Sequence, residues 1–319
     1  MKKKDIYHIF CESEPTLPIF SQSWWLDAVA GENNWDICLV EKNDEVLATM
    51  PYVIKKRQGF KLLTTPLLTQ TLGPWIKPSS ANYSKALGQE KDLMQLLISQ
   101  LPLYDHFQQN WHHTCTNWLP FYWKGFSATT RYTYQVRNIS SKPVELNLFQ
   151  ENIRKDIRKA SNRFKLRIKE NPTISDFIAL NKKTFQRQEK ELPYSEDFLI
   201  QLDAACEKNN ARKIFIAEDE DGNQHAGVYI VWNSYCAYYL MGGGDPELRN
   251  SGATSLCMYE GIKFAATVTD TFDFEGSMIE PIERFFRGFG AIQTPYLCVS
   301  HTPSKIIKAY RCLQEILAK

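Results

Sequence analysis

The chain has 319 residues, 43% of them hydrophobic and 13% aromatic, so it is longer than a single core usually supports and we expect two domains. A formal net charge of +2 excludes a strongly acidic protein and gives no indication of a dedicated polyanion binder. The 8 cysteines form no C-x-x-C motif, and the first residues are charged instead of apolar, so we expect buried thiols, no signal peptide and no transmembrane segment. Together these features favour a cytoplasmic protein.

The first half of the chain opens with a predicted β-hairpin. Residues 36–41 and 46–50 are β-prone runs, and Asn43-Asp44 between them is typical of a tight turn. Further on, residues 122–128 combine two aromatics, a cation, glycine and phenylalanine, and the same order recurs at residues 285–291. Because each copy is followed by a strand-like run, we interpret the chain as two tandem copies of one fold, with domains at 1–142 and 143–319.

A basic helix is predicted between the two copies. Apolar residues at helical spacing run through residues 145–164, and eight cations lie within residues 151–169 against Glu151 and Asp156. One interpretation is a surface for an anionic donor, tRNA or anionic lipid headgroups, which would include peripheral membrane contact. The other, which we favour, is a solvated helix face. No DNA-binding module is recognisable, so DNA is not an expected partner.

The second half predicts an ordered run of strands and helices. Residues 213–218 and 226–232 flank Asp221-Gly222, a strong hairpin signal, and residues 235–241 form a third strand that ends at three glycines, 242–244. A helix follows residues 249–254, a strand covers 271–277, a helix ends at 285–290, and a final strand and amphipathic helix occupy 292–300 and 304–317. Layered on one core, these elements predict an α/β or α+β sandwich.

The segment that opens the helix after residue 248 is the candidate donor-binding loop. The leading N–H groups of a helix have no partner inside it, and its dipole places partial positive charge there, which attracts phosphate. A glycine allows an anion to approach the main chain, and arginine adds a charge-assisted contact. The candidate binding residues are Arg249, Asn250, Ser251, Gly252, Ala253 and Thr254.

The strand at 271–277 carries the candidate catalytic carboxylates. Alternation along a strand would place Asp273, Glu275 and Ser277 on one face, with Phe272 and Phe274 on the other. Two carboxylates on one face of a strand are suited to accept a proton from a substrate. We therefore interpret Glu275 as the general base, Asp273 as the residue that orients the attacking group, and Ser277 as a substrate contact. The alternative is that both carboxylates make structural hydrogen bonds.

Other candidate residues are less specific. Tyr238 and Tyr239 are expected to line the substrate cleft, although aromatic strand residues are more often part of a core. Arg287 is a candidate contact for an anionic acceptor, or simply a solvated cation. His112-His113 does not predict a metal site, because adjacent residues point to different sides and no second ligand pair is suitably spaced.

Taken together, these motifs resemble the GNAT superfamily of N-acyltransferases, and more closely its FemAB-like branch. The resemblance rests on residues 238–249, Gly252-Ala253, residues 272–277 and residues 282–291, and weaker likeness extends over nearly the whole chain. It implies two tandem GNAT-like domains, each with a mixed, mostly antiparallel sheet flanked by helices, the second carrying the donor loop and the first shaping the acceptor site. Thr254 departs from the family loop, which has Gly or Ala, and Phe286 stands where peptidoglycan-building members have lysine.

The resemblance also implies a function. The expected activity is transfer of an acyl or aminoacyl group from an activated carrier to the amine of a small molecule or peptide. Acyl-coenzyme A is the preferred co-substrate, with no tightly bound cofactor. Two alternatives stay open: a FemAB-type enzyme that uses aminoacyl-tRNA to extend a cell-wall peptide, and a catalytically inactive binding module.

Overall fold

The fold is that of a computed structural model, which describes residues 2–276 and 278–317. Its contacts divide the chain into two compact units, Met1–Arg131 with Pro295–Lys319 and Tyr132–Thr294. Residues 132–142 belong to the second unit, and residues 295–319 return to the first. The strands Ser127–Arg137 and Ile292–His301 each run from one unit into the other. The division therefore differs from the expected boundary between residues 142 and 143.

The first unit is a mostly antiparallel sheet with helices from the beginning of the chain. Its elements are α1 (Lys3–Ser13), α2 (Ser23–Ala30), β1 (Trp35–Lys42), β2 (Glu45–Arg57), β3 (Phe60–Thr64), β4 (Trp75–Ile76), α3 (Tyr83–Ser99), β5 (His106–Asn110) and α4 (Leu119–Trp123). It is completed by most of β12 (Ile292–His301) and by α10 (Lys305–Leu317). The strand order is β1-β2-β3-β5-β12, and β4 pairs with β2. Only β3 and β5 pair in parallel among the described strands of this unit.

The predicted hairpin at the start of this unit is confirmed. Strands β1 and β2 pair antiparallel, and Asn43 and Asp44 in the turn both have positive φ, at 52° and 61°. Such a turn matches the twist of the strands on either side, and Asn and Asp tolerate it best after glycine. The core of the unit packs Met50 and Phe107 of the sheet with Leu97 of α3.

The second unit contains the remaining elements. These are β6 (Ser127–Arg137), α5 (Glu151–Arg158), β7 (Arg167–Ile168), α6 (Ile174–Arg187), α7 (Glu196–Lys208), β8 (Arg212–Glu218), β9 (Gln224–Trp232), β10 (Ala237–Gly244), α8 (Ala253–Ala265), β11 (Thr271–Asp273) and α9 (Glu280–Arg287). The strand order is β6-β11-β10-β9-β8-β7, with β10 and β11 parallel. The predicted hairpin of β8 and β9 is confirmed, with Gly222 at φ 82° in its turn.

Helices cover both faces of this sheet. Val228 and Ile230 of β9 join the core cluster that contains Leu256 and Ile262 of α8, whereas the next residue in the alternation, Gly227, faces α6. A side chain at Gly227 would begin 3.3 Å from a methyl of Leu180 and 3.4 Å from the ring of Phe177. The alternation of β9 therefore places α8 on one face and α6 on the other.

Two predicted elements are shorter than expected. The helix expected over residues 145–164 is a short 3₁₀ turn at Leu146–Leu148, then α5, then a π-helical turn at Lys159–Arg163. The strand expected over residues 271–277 ends at Asp273, so the predicted strand alternation from Asp273 to Glu275 is wrong. Glu275 has φ 59°, which breaks the strand alternation, and Ser277 lies outside the described residues.

In the described part of the chain, none of the helices combines the length and the apolar character needed to cross a lipid bilayer. The 17 residues of α3, for example, include buried Met94 and Leu97 next to many exposed polar side chains.

Candidate functional site

Strands β10 and β11 separate at the centre of the second unit. They pair only through Ala237 with Phe272 and Tyr238 with Asp273. Beyond this point the chain after β11 stays with β6, because the N–H of Phe274 donates to the carbonyl of Tyr134 at 2.9 Å. Among the described residues, the later half of β10 therefore has an edge without a neighbouring strand, and we call it the free edge of β10.

A β-bulge lies where the strands separate. Tyr239 of β10 pairs with Ile230 and Met241 pairs with Tyr229, so Leu240 is an extra residue in the ladder. A bulge bends the strand and leaves main-chain groups outside the regular ladder. The site thus contains a local distortion of β10.

Glu275 lies at the start of the segment that leaves β10. Its left-handed backbone is followed by Gly276 at φ 66°, where a side chain would begin 2.2 Å from the carbonyl oxygen of Tyr132. Burial, with a further contribution from the charge of Asp273, raises the pKa of the Glu275 carboxyl well above its usual value. The same carboxylate contributes to the raised pKa of Tyr239, after burial and Cys257. Glu275 and Tyr239 are therefore neighbours in one desolvated site.

Asp273 is engaged in hydrogen bonds on both carboxylate oxygens. Its Oδ1 accepts from the hydroxyl of Thr133 and, at 2.7 Å, from the N–H of Glu275. Its Oδ2 accepts from Nε2 of Gln135 at 2.8 Å, and Oε1 of Gln135 in turn accepts from Arg137 at 2.8 Å. Burial raises the pKa of Asp273, and these hydrogen bonds oppose that rise. The carboxylate fixes the turn that carries Glu275.

Helix α6 covers the free edge of β10. The N–H of Asp245 donates to the main-chain carbonyl of His225 on β9. Because main-chain groups alternate between the two edges of a strand, those of Gly242 and Gly244 point to the opposite, free edge. There the carbonyl of Gly242 accepts from Nδ2 of Asn181 at 2.7 Å, and the N–H of Gly244 donates to Oγ1 of Thr184 at 2.9 Å. Side chains of α6 thus occupy hydrogen-bonding groups that a neighbouring strand would otherwise use.

Close packing explains why residues 242–244 of β10 are glycines. The sequence predicts that they mark the point where the strand leaves the sheet, but they are part of β10. A side chain at Gly243 would begin 2.6 Å from the main-chain nitrogen of Asn181, and one at Gly242 would begin 1.9 Å from the hydroxyl of Tyr239. The glycines allow α6 and the Tyr239 ring to lie directly against the strand.

Tyr194 extends this network to the segment between α6 and α7. Its hydroxyl donates to Oδ1 of Asn181 at 3.0 Å and lies 3.6 Å from the sulfur of Met241. Burial raises the pKa of Tyr194 to about 12, and the hydrogen bond to Asn181 opposes this rise. Sequence reasoning missed Asn181, Thr184 and Tyr194. The available signal was that Asn181 and Thr184 follow Phe177 at helical spacing and interrupt an otherwise apolar stripe.

The candidate donor loop forms a helix start, as predicted. Arg249–Ser251 is a 3₁₀ turn, Gly252 has φ 83°, and α8 begins at Ala253. Arg249, Asn250 and Thr254 are exposed, whereas Ser251, Gly252 and Ala253 are buried. A side chain at Gly252 would begin 2.2 Å from the carbonyl oxygen of Asp156. The bare side of Gly252 is therefore occupied by α5, and the exposed side chains form the accessible rim of the loop.

The basic segment at residues 151–169 is largely neutralised by neighbouring acids. Five of its cations form ion pairs: Arg154 with Glu151, Lys159 with Asp156, Lys165 with Glu220, Arg167 with Glu218 and Lys169 with Asp176. Lys155 and Arg158 are exposed on α5, the helix that packs against the donor loop. This pairing supports the solvated-face interpretation for most of the segment.

The remaining predicted residues lie in different surroundings. Tyr238 is buried, with a pKa raised by burial and by Cys236, while Tyr239 is partly exposed. Arg287 is exposed and its Nε lies 2.8 Å from Oε1 of Glu283, so it belongs to an ion pair within α9. Phe286 is buried, with its ring 4.9 Å from Phe274 and 6.0 Å from Tyr239. Phe286 is thus part of an aromatic cluster.

Metal ligation is not indicated by the described side chains. Within residues 2–276 and 278–314, His, Cys, Asp and Glu do not gather into a group of three or more that could hold an ion. The His112-His113 pair is explained locally, because Nδ1 of His112 lies 2.7 Å from the hydroxyl of Thr114 and the two rings pack against each other.

Comparison with known proteins identifies the second unit. Residues 148–280 match a family described as an acetyltransferase (GNAT) domain. The structure is similar to FemX, with a TM-score of 0.70, 13% identity and coverage of 97% of this chain and 98% of that one. It is also similar to the C-terminal domain of a putative lysylphosphatidylglycerol synthetase from Agrobacterium fabrum, with a TM-score of 0.55, 10% identity and coverage of 93% and 92%.

A third similar structure is a tandem GNAT protein from the clavulanic acid biosynthesis pathway, with a TM-score of 0.51, 8% identity and coverage of 94% and 93%. A search of curated proteins by sequence found no match. At these identities the structural likenesses concern the fold. The predicted α/β fold and the predicted acyltransferase domain of GNAT type are confirmed.

Proposed function

We propose that this protein is an N-acyltransferase that moves an acyl or aminoacyl group from an activated carrier to an amine at the free edge of β10. The observation that carries the proposal is the separation of β10 from β11 immediately before Glu275, a desolvated carboxyl with a raised pKa. A base whose pKa is raised towards the working pH is suited to remove a proton from an attacking amine. The acceptor is a small-molecule or peptide amine.

The reaction needs few groups from the protein. The neutral amine attacks the carbonyl carbon of the donor, a carbon–nitrogen bond forms, and the bond between that carbon and the carrier breaks. Glu275 accepts the proton that the amine loses, and the carrier leaves with the bonding electron pair. Main-chain N–H groups at the Leu240 bulge are the candidates to stabilise the oxyanion. In this proposal Asp273 holds the Glu275 turn, since its oxygens are already engaged.

Acyl-coenzyme A is the preferred donor. Its pyrophosphate would bind at the start of α8, where the helix dipole and leading N–H groups favour anions and where Arg249, Asn250 and Thr254 are exposed. Ser251, Gly252 and Ala253 are buried and contribute only their main-chain groups to this loop. The packing of α5 on Gly252 limits the phosphate contact to the outer rim.

One observation favours a second donor, an aminoacyl-tRNA. Asn181 and Thr184 occupy the main-chain groups of Gly242 and Gly244 on the free edge, so an extended carrier arm could pair with those residues only after displacing α6 side chains. An aminoacyl ester of tRNA needs no such pairing along the edge. The buried Phe286, in place of the lysine of peptidoglycan-building relatives, counts against this donor.

Titration of coenzyme A by calorimetry tests the donor assignment. Thr254→Asp is the informative variant, because an acid in the first turn suits the helix dipole and should leave folding intact while repelling pyrophosphate. Thr254→Asn is the neutral control. We expect coenzyme A binding that is lost in Thr254→Asp and reduced in Arg249→Ala. Binding of charged tRNA without coenzyme A binding would favour the second donor, and binding of neither would favour an inactive module.

A further inference from the structure

The final helix of the first unit presents an apolar stripe to solvent. Ile306, Tyr310 and Leu313 lie on one side of α10 at helical spacing and are 69%, 60% and 55% exposed. In a helix that packs on a protein core, such residues normally face inward. Here the described part of the chain does not bury the stripe, which suggests that another molecule binds it.

Polar contacts hold α10 in place beside the partly buried side chain of Ile307. Arg311 donates to Oε1 of Gln108 at 3.3 Å and contacts the His106 ring, both on β5. At the start of the helix, the N–H of Ser304 donates to the carbonyl of Asp105 at 3.3 Å. The helix is therefore attached on the side of Ile307 and Arg311, whereas the apolar stripe is exposed.

A further exposed apolar residue lies next to the helix. Leu103 is 93% exposed and stands two residues before Asp105, whose carbonyl anchors the beginning of α10. The loop that precedes β5 thus adds an exposed apolar residue near the beginning of α10. Several exposed apolar residues in one region mark an interaction site more often than isolated apolar residues do.

The charge of the helix favours an anionic partner. The sequence of α10 contains three cations, Lys305, Lys308 and Arg311, against one acid, Glu315. A basic helix with Ile, Leu and Tyr on one side is the composition that lies in the interface of an anionic membrane, where Tyr is favoured for its polar tip. Pairing of this helix with a second copy would bring like charges together, which disfavours self-association.

We propose that α10 and Leu103 form a docking surface for a membrane that contains anionic lipid. The apolar stripe enters the boundary between headgroups and acyl chains, and Lys305 and Lys308 attract the lipid phosphates. This docking places the protein at a membrane surface by peripheral contact. It is independent of the donor assignment, because none of these residues belongs to the candidate site.

Sedimentation of the full chain with vesicles tests this surface. Vesicles of phosphatidylcholine containing phosphatidylglycerol are compared with phosphatidylcholine alone, at low and high salt. We expect binding only to the anionic vesicles and weakening by salt. The triple variant Ile306→Ser, Tyr310→Ser, Leu313→Ser should abolish sedimentation, and Lys305→Gln with Lys308→Gln should lower the bound fraction relative to free protein on the order of tenfold. Tyr83→Ser, at another exposed aromatic residue, is the matched control.

Three outcomes would overturn the proposal. One is absence of binding to anionic vesicles, or equal binding to both compositions. Another is binding that the triple variant retains in full, which would assign it to a different surface. The third is a concentration-dependent dimer that the triple variant dissociates, with no vesicle binding, since the stripe would then be covered by a second copy. Circular dichroism of each variant verifies that the fold is intact.

Discussion

Asn181 donates a hydrogen bond of 2.7 Å from its side-chain Nδ2 to the main-chain carbonyl of Gly242, and this contact joins helix α6 to the free edge of β10. The other end of the same amide accepts from Tyr194 at 3.0 Å. One buried side chain therefore links the edge where the donor is proposed to bind with the segment that precedes α7.

Replacing Asn181 should cost stability. Asn181→Ala leaves the Gly242 carbonyl and the Tyr194 hydroxyl without this partner, and a buried polar group that loses its hydrogen bond costs about 1–3 kcal/mol. We expect the free energy of unfolding in urea to fall by that amount. Asn162→Ala, at an exposed asparagine on the π-helical turn, is the control and should stay within about 0.5 kcal/mol of the parent.

The Asn181 variant also reports on the donor. If a carrier arm pairs with the free edge, removal of the Asn181 side chain exposes the Gly242 carbonyl and should increase coenzyme A affinity. An unchanged affinity, measured by calorimetry on folded variant, would show that the carrier does not use this part of β10.

Glu275→Gln should slow acyl transfer. The amide cannot accept the proton of the amine, and a general base contributes on the order of 10²–10⁴ in rate. Single-turnover transfer from the bound donor measures the chemical step directly. Glu247→Gln, at an exposed acid close to the donor loop, is the control and should transfer at the parent rate. Full activity in Glu275→Gln would remove this residue from the mechanism.

The pH dependence of the rate follows from the same carboxyl. Its pKa is raised by burial and by Asp273, so the active carboxylate forms only at a pH well above the usual titration range of glutamate. We expect kcat/KM to rise with pH through this raised pKa. In Glu275→Gln the rise assigned to this group should be absent from the residual rate, and a profile identical in shape to that of the parent would assign the ionisation to another group.

The stability of the protein should change with pH in the direction opposite to the rate, because the free energy of unfolding should fall as pH rises. In the folded state Glu275 holds its proton to higher pH than in the unfolded chain, where the glutamate pKa is about 4.3. Between these two pKa values the folded state binds more protons, so the free energy of unfolding decreases as pH rises. Glu275→Gln has no such titration. Its stability relative to the parent should increase with pH over that interval in urea titrations, and a constant difference would contradict the raised pKa.

Gly252→Ala should be more destabilising than Gly222→Ala. Both glycines have φ near the same left-handed value, at 83° and 82°, but a side chain at Gly252 meets the Asp156 carbonyl at 2.2 Å, whereas no atom lies within 4 Å at Gly222. The shared backbone strain costs on the order of 1–3 kcal/mol. Thermal or urea unfolding of the pair isolates the contact between α5 and the donor loop. Equal decreases in the free energy of unfolding would show that α5 moves away from residue 252 without a loss of stability.

Local patterns in the sequence predicted the regular parts of the fold because their causes are local. Asp221-Gly222 between two β-prone runs is sufficient for the β8–β9 hairpin, and Gly252 with its following apolar residues is sufficient for the start of α8. The resemblance of the loop and the aromatic helix end to the GNAT superfamily supplied the relation between those parts, which no periodicity contains.

The sequence misled where a distant contact decides the backbone. Residues 271–277 alternate as a strand should, but the turn after Asp273 is fixed by Thr133 and Gln135, which lie far away in the chain. Likewise, glycines 242–244 satisfy the rule for a loop, and the approach of Asn181 to Gly243 and of Tyr239 to Gly242 explains why glycine occupies these strand positions. Such tertiary effects override local preference and leave at most a weak trace, such as a polar residue within an apolar stripe.

The division of the chain also sets the order in which its two units can fold during synthesis. Strand β5 of the first unit pairs with β12 through Cys298 to His301, whereas the second unit is the single stretch Tyr132–Thr294. On a ribosome, the unit that starts first must wait with one sheet edge open until the whole of the other has been made. The part of the protein translated in the middle is thus the one able to finish folding earliest, and the nascent first unit depends on protection of that edge until its last strand emerges.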